Sequence, residues 1–159
     1  MSTNEQSVVI VQGRADSLKQ TIEVGPHRLL SDEPEALGGC DQGPDPYELL
    51  LASLGSCTSM TLVIYARRKQ WPLEGVTVRL RHAKIHAGDC LDCETKAGKI
   101  DLIEREIELS GPLTAEQRAG LLAIADKCPV HRSLATEISI QTRLLEKGEK
   151  GEKGEKGGP

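Results

Sequence analysis

The alternation of apolar and polar residues divides the chain into strands, a long loop and helices. β-Branched residues dominate positions 7–12, and polar and apolar residues alternate over 19–24, which indicates two strands. Turn residues separate them, and 27–30 suits a third strand. Because these segments are short and joined by turns, we expect a meander of antiparallel strands. The glycine- and proline-rich segment 31–45 predicts a long loop, and loops of that length are often functional.

The clearest helix in the pattern follows this loop. Asp45 suits the N-cap, Pro46 suits the first helical position, and Glu48 stands three residues after the cap, as in a capping box. The helix is predicted to run to about Lys69, and Pro72 prevents it from continuing. Its first two-thirds carry almost no charge, so we expect it to be buried on most sides.

Beyond this helix the pattern changes between strands and helices again. The remaining predicted elements are strands at 76–86 and 99–109, a helix from the Thr114 cap to Ala125, a short helix at 129–136 and a last strand at 137–144. The sequence Gly-Glu-Lys repeats from position 148. We therefore expect one domain over 1–145 and a disordered, charge-balanced tail over 146–159.

Composition narrows the classes of function. The 159 residues carry a formal net charge of −4, one Trp, two Tyr and no Phe, so the core must be aliphatic. Scarce aromatic residues argue against base-stacking nucleic-acid modules, and the acidic balance argues against a phosphate-binding surface. The N-terminus is polar, and from the sequence we expect no apolar run to reach the length of a membrane span. We expect a soluble, cytoplasmic protein with no nucleic-acid or membrane partner.

The cysteines carry the candidate chemistry. Five stand at positions 40, 57, 90, 93 and 128, an odd number whose spacing is unlike that of a small secreted scaffold. In a reducing compartment such cysteines are free, catalytic or metal-bound. Cys57, inside the long helix, is either a small core residue or a functional thiol. Cys128 precedes Pro129, so it is either a plain helix-break residue or an N-cap whose thiolate faces unpaired backbone amides.

Two stretches carry a resemblance to a known family. They are DPYELLLASLGSCTSM at 45–60 and ADKCPVHR at 125–132. A cysteine in an uncharged helix followed by a distant Cys-Pro resembles the OsmC/Ohr family, the osmotically inducible and organic hydroperoxide resistance proteins, over about residues 7–144. The loop at 31–39 and the Cys90-x-x-Cys93 insertion are similar to one OsmC-like branch of that family.

The resemblance implies an α+β fold in which antiparallel sheets wrap around central helices in an intertwined homodimer, with active sites at the subunit interface. It implies a thiol-dependent peroxidase of organic hydroperoxides that needs no cofactor. Cys57 matches the peroxidatic cysteine and Cys128 the resolving one. A peroxidatic thiolate becomes a sulfenic acid, and the second thiol condenses with it to a disulfide. A dithiol reductant, such as a lipoyl protein, then restores both thiols by exchange.

The resemblance also implies an arginine and a glutamate near the peroxidatic cysteine, because burial alone raises a thiol pKa. Arg28 suits the OsmC-like placement of the arginine, and Arg14 suits the Ohr placement. The family glutamate stands ten residues before the cysteine, where this chain has Tyr47 and then Glu48. On a straight helix Glu48 lies almost opposite Cys57, so it either serves only the capping box or acts through a bend or a second subunit. Tyr47 is the alternative holder of the arginine.

The remaining cysteines allow several interpretations. Cys90 and Cys93 form a CxxC motif, and His82 and His86 lie on one face of the preceding strand. All four residues together suit a Cys₂His₂ zinc site. The alternatives for Cys90 and Cys93 are a reversible disulfide or ordinary exposed thiols. Cys40 has no evident partner.

The departure at Tyr47 leaves a rival function open. In that alternative the protein is a non-enzymatic, redox-responsive or ligand-binding OsmC-like dimer, with Cys57 and Cys128 as a switch.

Overall fold

The structure is a computed structural model and describes residues 8–145. Its elements are β1 (Val9–Gly13), β2 (Gln20–Val24), β3 (His27–Ser31), α1 (Pro46–Lys69), β4 (Gly75–His86), β5 (Lys99–Ser110), α2 (Ala115–Ala125) and α3 (Pro129–Leu134). The first three strands form an antiparallel sheet in the order β1-β2-β3, and β4 pairs with β5 as an antiparallel hairpin. The predicted α+β class is confirmed. The tail predicted at 146–159 lies outside the described residues.

The two ends of α1 follow from its local sequence. The Asp45 side chain accepts from the Glu48 amide at 2.8 Å, and the Glu48 carboxylate accepts from the Asp45 amide at 2.9 Å. This capping box satisfies two amides that the first helical turn leaves without partners. At the other end Gln70 adopts a left-handed backbone with φ of 54° and donates its amide to the last-turn carbonyls. The predicted bounds of the helix are confirmed.

The core lies where α1 meets α2 and the β4–β5 hairpin. Its buried members are Leu62, Ala66, Leu113, Leu121 and Ala125. Leu62 and Leu121 are completely buried. Tyr65 and Trp71 pack against this cluster edge to face, with ring centroids 5.5 Å apart. The core is therefore aliphatic, as the composition predicts, with aromatic rings only at its margin.

Burial of α1 is one-sided, so the prediction of burial on most sides is wrong for the single chain. The buried residues are Leu54, Gly55, Thr58, Leu62 and Ala66, a single stripe of its 24 residues. On another face Met60 is 63% exposed and Ile64 is 50% exposed. The uncharged stretch also makes α1 long and apolar enough to cross a membrane by length and composition, contrary to our expectation from the sequence. This is weak evidence, because the core helix of a soluble protein passes the same test.

The three-stranded sheet lacks a covering layer within the single chain. Every residue of β1 is exposed and every residue of β2 is partly exposed. A sheet of this size needs packing on at least one face for independent stability. In the described residues that packing is missing.

The loop at 31–45 is held by one buried carboxylate. Asp32 is 2% exposed and accepts hydrogen bonds from the amides of Glu33, Cys40 and Gln42. Burial raises the pKa of Asp32, but the three amides outweigh it, so the net pKa is below the ordinary value. A side chain at Gly39 would collide with the Glu33 carbonyl, so this tight loop needs glycine there.

The predicted last strand at 137–144 is not formed in the single chain. This segment pairs with no strand among residues 8–145, and Ile138, Ile140 and Leu144 are exposed. Alternating residues can favour a strand, but a strand also needs a neighbour for its backbone hydrogen bonds. The short helix before it ends at Leu134, two residues earlier than predicted.

Candidate thiol site

Two cysteines that are distant in the sequence meet in the structure. Cys57 lies in the middle of α1, and Cys128 lies between α2 and α3. Their thiols lie close enough to affect each other's ionisation, and both are free. Cys128 is completely buried, whereas Cys57 is partly exposed. The fold therefore brings together the two cysteines that the sequence analysis singled out.

The position of Cys128 follows from the break between α2 and α3. Its amide donates to the Ala125 carbonyl at 3.3 Å, and its own carbonyl accepts from Arg132 at 3.0 Å. Pro129 occupies the first position of α3, where the missing amide costs nothing. Cys128 is the N-cap of α3, although its sulfur makes no capping hydrogen bond of standard geometry. Because α2 and α3 both pack against α1, this junction sits beside Cys57.

The two thiols have opposite electrostatic surroundings. Burial raises the pKa of Cys57, and its interaction with the Cys128 thiol raises it further. Burial also raises the pKa of Cys128, but the Cys57 thiol, the His131 amide and the Thr58 hydroxyl outweigh that effect, so the net pKa is lowered. Within the single chain the surroundings therefore oppose ionisation of Cys57 more than ionisation of Cys128.

Arg105 is a site residue that the sequence analysis missed. Its Nη1 donates to Thr58 Oγ1 at 3.0 Å and to the Ala125 carbonyl at 3.4 Å, and its Nη2 donates to Asp126 Oδ1 at 2.7 Å. Its side chain is only 13% exposed. Because its neighbours in β5 are charged, Arg105 looks like a surface residue in the sequence. It nevertheless lies on the same inward-facing side of the strand as Ile103 and Ile107. That alternation is the signal that could have identified it.

A pocket of about 260 Å³ adjoins these residues. Its walls are formed by Leu54, Asp101, Ile103, Arg105, His131, Leu134 and Ala135. The aliphatic residues form most of the lining. Arg105 and His131 connect the pocket to the thiol pair, since Arg105 contacts Thr58 and the His131 amide acts on Cys128.

The other predicted site residues are elsewhere in the single chain. Arg28 lies exposed on β3, opposite Glu23 in the register of the sheet. Arg14 is bound to Asp16 by two hydrogen bonds of 2.9 Å. The Glu48 carboxylate is occupied in the capping box. Over residues 8–145, the hydrogen bonds found place none of the three beside either thiol.

The CxxC loop is disulfide-bonded. Cys90 and Cys93 are joined at the tip of the β4–β5 hairpin, with their Cα atoms 5.5 Å apart. His82 instead bonds to Asp101 at 2.7 Å and stacks on Tyr47 with ring centroids 4.3 Å apart. The part of the chain that the structure describes contains no group of three or more His, Cys, Asp or Glu side chains that could hold a metal ion. Of the three interpretations, the geometry matches the disulfide.

Several solved structures share this fold. An OsmC-like protein from Mycoplasma pneumoniae gives a TM-score of 0.65 at 18% identity, covering 84% of this chain and 89% of that one. An organic hydroperoxide resistance protein OsmC from Legionella pneumophila gives a TM-score of 0.61 at 18% identity, covering 84% of this chain and 91% of that one. An organic hydroperoxide resistance protein from Elizabethkingia anophelis gives a TM-score of 0.61 at 18% identity, covering 84% of this chain and 90% of that one. At these identities the likeness establishes the fold alone.

The sequence comparisons identify the family. No curated protein sequence matches the chain. A family model described as OsmC-like protein matches residues 38–143, which is more than half of the chain and includes both cysteines of the thiol pair. The chain therefore belongs to the OsmC-like protein family.

Proposed function

We propose that this protein is a thiol-dependent peroxidase that reduces organic hydroperoxides through a Cys57 sulfenic acid resolved by Cys128. Membership of the OsmC-like family supports a stress-related redox role. The names of the Legionella and Elizabethkingia structures suggest the substrate class. The observation that carries the proposal is the meeting of two free thiols from α1 and the α2–α3 junction.

The accessibility of the two sulfurs supports this division of roles. Cys57 is partly exposed, so a peroxide can reach its sulfur, whereas Cys128 is completely buried. The Cys57 thiolate attacks one peroxide oxygen, the O–O bond breaks, and the alcohol leaves. The Cys128 sulfur then attacks the sulfenic sulfur, forming the S–S bond and releasing water. An external dithiol, such as a lipoyl protein, is oxidised as it reduces this disulfide.

The pocket beside the thiols supports an organic rather than a small inorganic peroxide. Leu54, Ile103 and Leu134 give it an aliphatic wall that would gain from covering an alkyl group. Hydrogen peroxide has no apolar surface to bury there. We expect an alkyl hydroperoxide to be turned over faster than hydrogen peroxide.

A homodimer is part of the proposal. Cys57, Met60 and Ile64 fall on one face of α1, and Met60 and Ile64 are exposed in the single chain. The β1–β3 sheet has no covering layer of its own. A second copy placed over this face would cover both surfaces. Arg28 can then approach Cys57 only if a partner subunit's sheet lies over α1.

The test is the consumption of cumene hydroperoxide by the purified protein with dihydrolipoamide as the dithiol. Cys57→Ser should abolish turnover, and Cys128→Ser should stop after one equivalent with a sulfenic acid at Cys57. Cys40→Ser is the matched control, since Cys40 is a free exposed cysteine outside the site. Turnover that survives Cys57→Ser would refute the peroxidase.

A second candidate is a redox-responsive dimer without turnover. Tyr47, at the position of the family glutamate, stacks on His82, and among residues 8–145 its hydroxyl makes no hydrogen bond to an arginine. Mass spectrometry after one equivalent of peroxide distinguishes the two functions. A Cys57–Cys128 disulfide that dithiols do not recycle would favour the switch. The cytoplasmic location expected from the sequence stays a prediction.

A further inference from the structure

The disulfide at the tip of the β4–β5 hairpin is not part of the thiol site. Cys90 and Cys93 are both partly exposed, and Leu91 between them is 92% exposed. The CxxC spacing is the one found in proteins that exchange thiols and disulfides. Such a pair is either a structural bond or an exchange site, and its surroundings distinguish the two roles.

The hairpin does not need this bond to hold its strands together. β4 and β5 pair in one continuous register along the whole of both strands. Beyond the last pair, the Ala87 amide donates to the Gly98 carbonyl at 2.8 Å, and Ala87 is completely buried. The hydrogen bonds that close the hairpin therefore lie between the strands and the disulfide.

The stabilising effect of a disulfide at this spacing is small. A disulfide stabilises a fold mainly by restricting the unfolded chain, and the effect grows with the length of the loop that the bond closes. Cys90 and Cys93 are separated by only three positions, so the loop that they close is very short. Opening this bond should leave the paired strands intact, which a reversible redox site requires.

The hairpin tip is too far from the thiol site for the two pairs to exchange within one chain. Arg105 on β5 reaches Thr58, the residue after Cys57. Lys99 begins β5 at the end nearest the tip, and a strand rises about 3.3 Å per residue, which places it roughly 20 Å from Arg105. Thiol–disulfide exchange requires one sulfur to attack another directly. The CxxC pair therefore needs a partner of its own.

Charge and apolar exposure indicate the class of that partner. Asp89, Asp92 and Glu94 are each adjacent to one of the two cysteines in the chain, and all three are exposed. This negative charge repels anionic thiols such as glutathione. Leu91 presents an apolar side chain in the same loop, and a partner protein that covers it gains free energy. Both features favour a protein dithiol with an apolar contact surface.

We propose that Cys90 and Cys93 form a second redox site, a thiol–disulfide exchange pair that receives two electrons from a protein dithiol. A thiolate of the partner attacks one sulfur of the pair, the S–S bond breaks, and the other cysteine leaves as a thiolate that takes up a proton. The partner's second thiol then attacks the mixed disulfide and releases the remaining cysteine. The partner ends as a disulfide, and its two protons end on Cys90 and Cys93.

This exchange does not require the peroxidase reaction of the thiol site. The reverse reaction with a more strongly oxidised protein disulfide restores the Cys90–Cys93 bond.

The experiment mixes the full-length, oxidised protein with thioredoxin, kept reduced by its reductase and NADPH. Differential alkylation and peptide mass spectrometry follow each cysteine. We expect thioredoxin to reduce Cys90 and Cys93 at least roughly tenfold faster than glutathione does at equal thiol concentration. A thioredoxin whose second active-site cysteine is replaced by serine should be trapped on Cys90 or Cys93. The amides of β4 and β5 should stay protected from hydrogen exchange after reduction.

Leu91→Ser tests the contact surface. It should slow reduction by thioredoxin about tenfold, because an apolar contact with the partner is lost. Reduction by dithiothreitol, which is small and uncharged, should not change. Leu122→Ser is the matched control, since Leu122 is 62% exposed but lies on α2. It should leave both rates unchanged.

The proposal is overturned if thioredoxin leaves the Cys90–Cys93 bond of the folded protein intact, or if reduction abolishes the protection of β4 and β5, because the bond is then structural. Equal rates with thioredoxin and glutathione, or an unaffected Leu91→Ser variant, would overturn the protein dithiol as partner. A peptide in which Cys90 or Cys93 is linked to Cys57 or Cys128 would overturn the separation of the two sites. No step uses peroxide, so failure here and failure of the peroxidase are distinct results.

Discussion

The proposed homodimer makes a quantitative prediction at Ile64. This side chain is 50% exposed and lies four residues after Met60 on the uncovered face of α1. Full burial of an isoleucine stabilises by about 2 kcal/mol, so covering the exposed half gives roughly 1 kcal/mol per subunit and roughly 2 kcal/mol across a twofold interface. Replacing it with glutamate removes that contribution and places a carboxylate in an apolar interface.

The expected result of Ile64→Glu is weaker dimerisation. A loss of roughly 2 kcal/mol corresponds to about a 30-fold rise in the dimer Kd, and the buried charge adds to it. Sedimentation-equilibrium centrifugation across a range of protein concentrations measures this change. Circular dichroism on the same samples shows whether the variant is folded.

Leu91→Glu is the control for the dimer measurement. Leu91 is 92% exposed at the tip of the β4–β5 hairpin, between the two bonded cysteines. This variant should dimerise like the wild type. A wild type that remains monomeric at high concentration, or an Ile64→Glu variant with an unchanged Kd, would refute the placement of a second copy on this face.

Two predictions concern the loop at 31–45 and the start of α1. The pKa of Asp32 is lowered in the folded state, so its stabilising effect is present above the unfolded pKa and is lost as pH falls through the folded pKa. Asp32→Asn should therefore lower Tm at pH 7. Thermal melts should show that the difference in Tm between wild type and variant is smaller in acid. An equal difference in Tm at every pH would contradict this. Glu48→Gln should keep both Tm and peroxide turnover, because glutamine also completes a capping box with Asp45. Lost turnover at unchanged Tm would instead assign the Glu48 carboxylate to the chemistry.

Much of the local structure could be predicted because its causes are local. The bounds of α1 depend on Asp45, Glu48 and Pro46, which act within one helical turn. The paired strands at Gly75–His86 and Lys99–Ser110 follow from a two-residue alternation. The last strand could not be predicted this way, since 137–144 has the alternation of a strand but no neighbouring strand within the described residues 8–145.

The candidate site was predictable in part. The cysteine in the uncharged helix and the distant Cys-Pro identified Cys57 and Cys128, and the structure places their thiols close enough to affect each other's ionisation. Arg28 and Glu48 came from family resemblance, and the single chain leaves both away from the thiols. A place beside Cys57 for either residue would require a second subunit, whose position the sequence of one chain does not encode in any local pattern.

The sequence by itself determined the helices, the paired strands, the aliphatic core and the two cysteines of interest, because helix caps, alternation and residue chemistry act over a few neighbouring positions. Only the tertiary structure decided which side chains surround the two thiols. Arg105 is an example, because it reaches Thr58 and Asp126 from a strand remote from both cysteines in the chain. Electrostatic interactions depend on distance and burial in space, and neither can be obtained from spacing along the sequence.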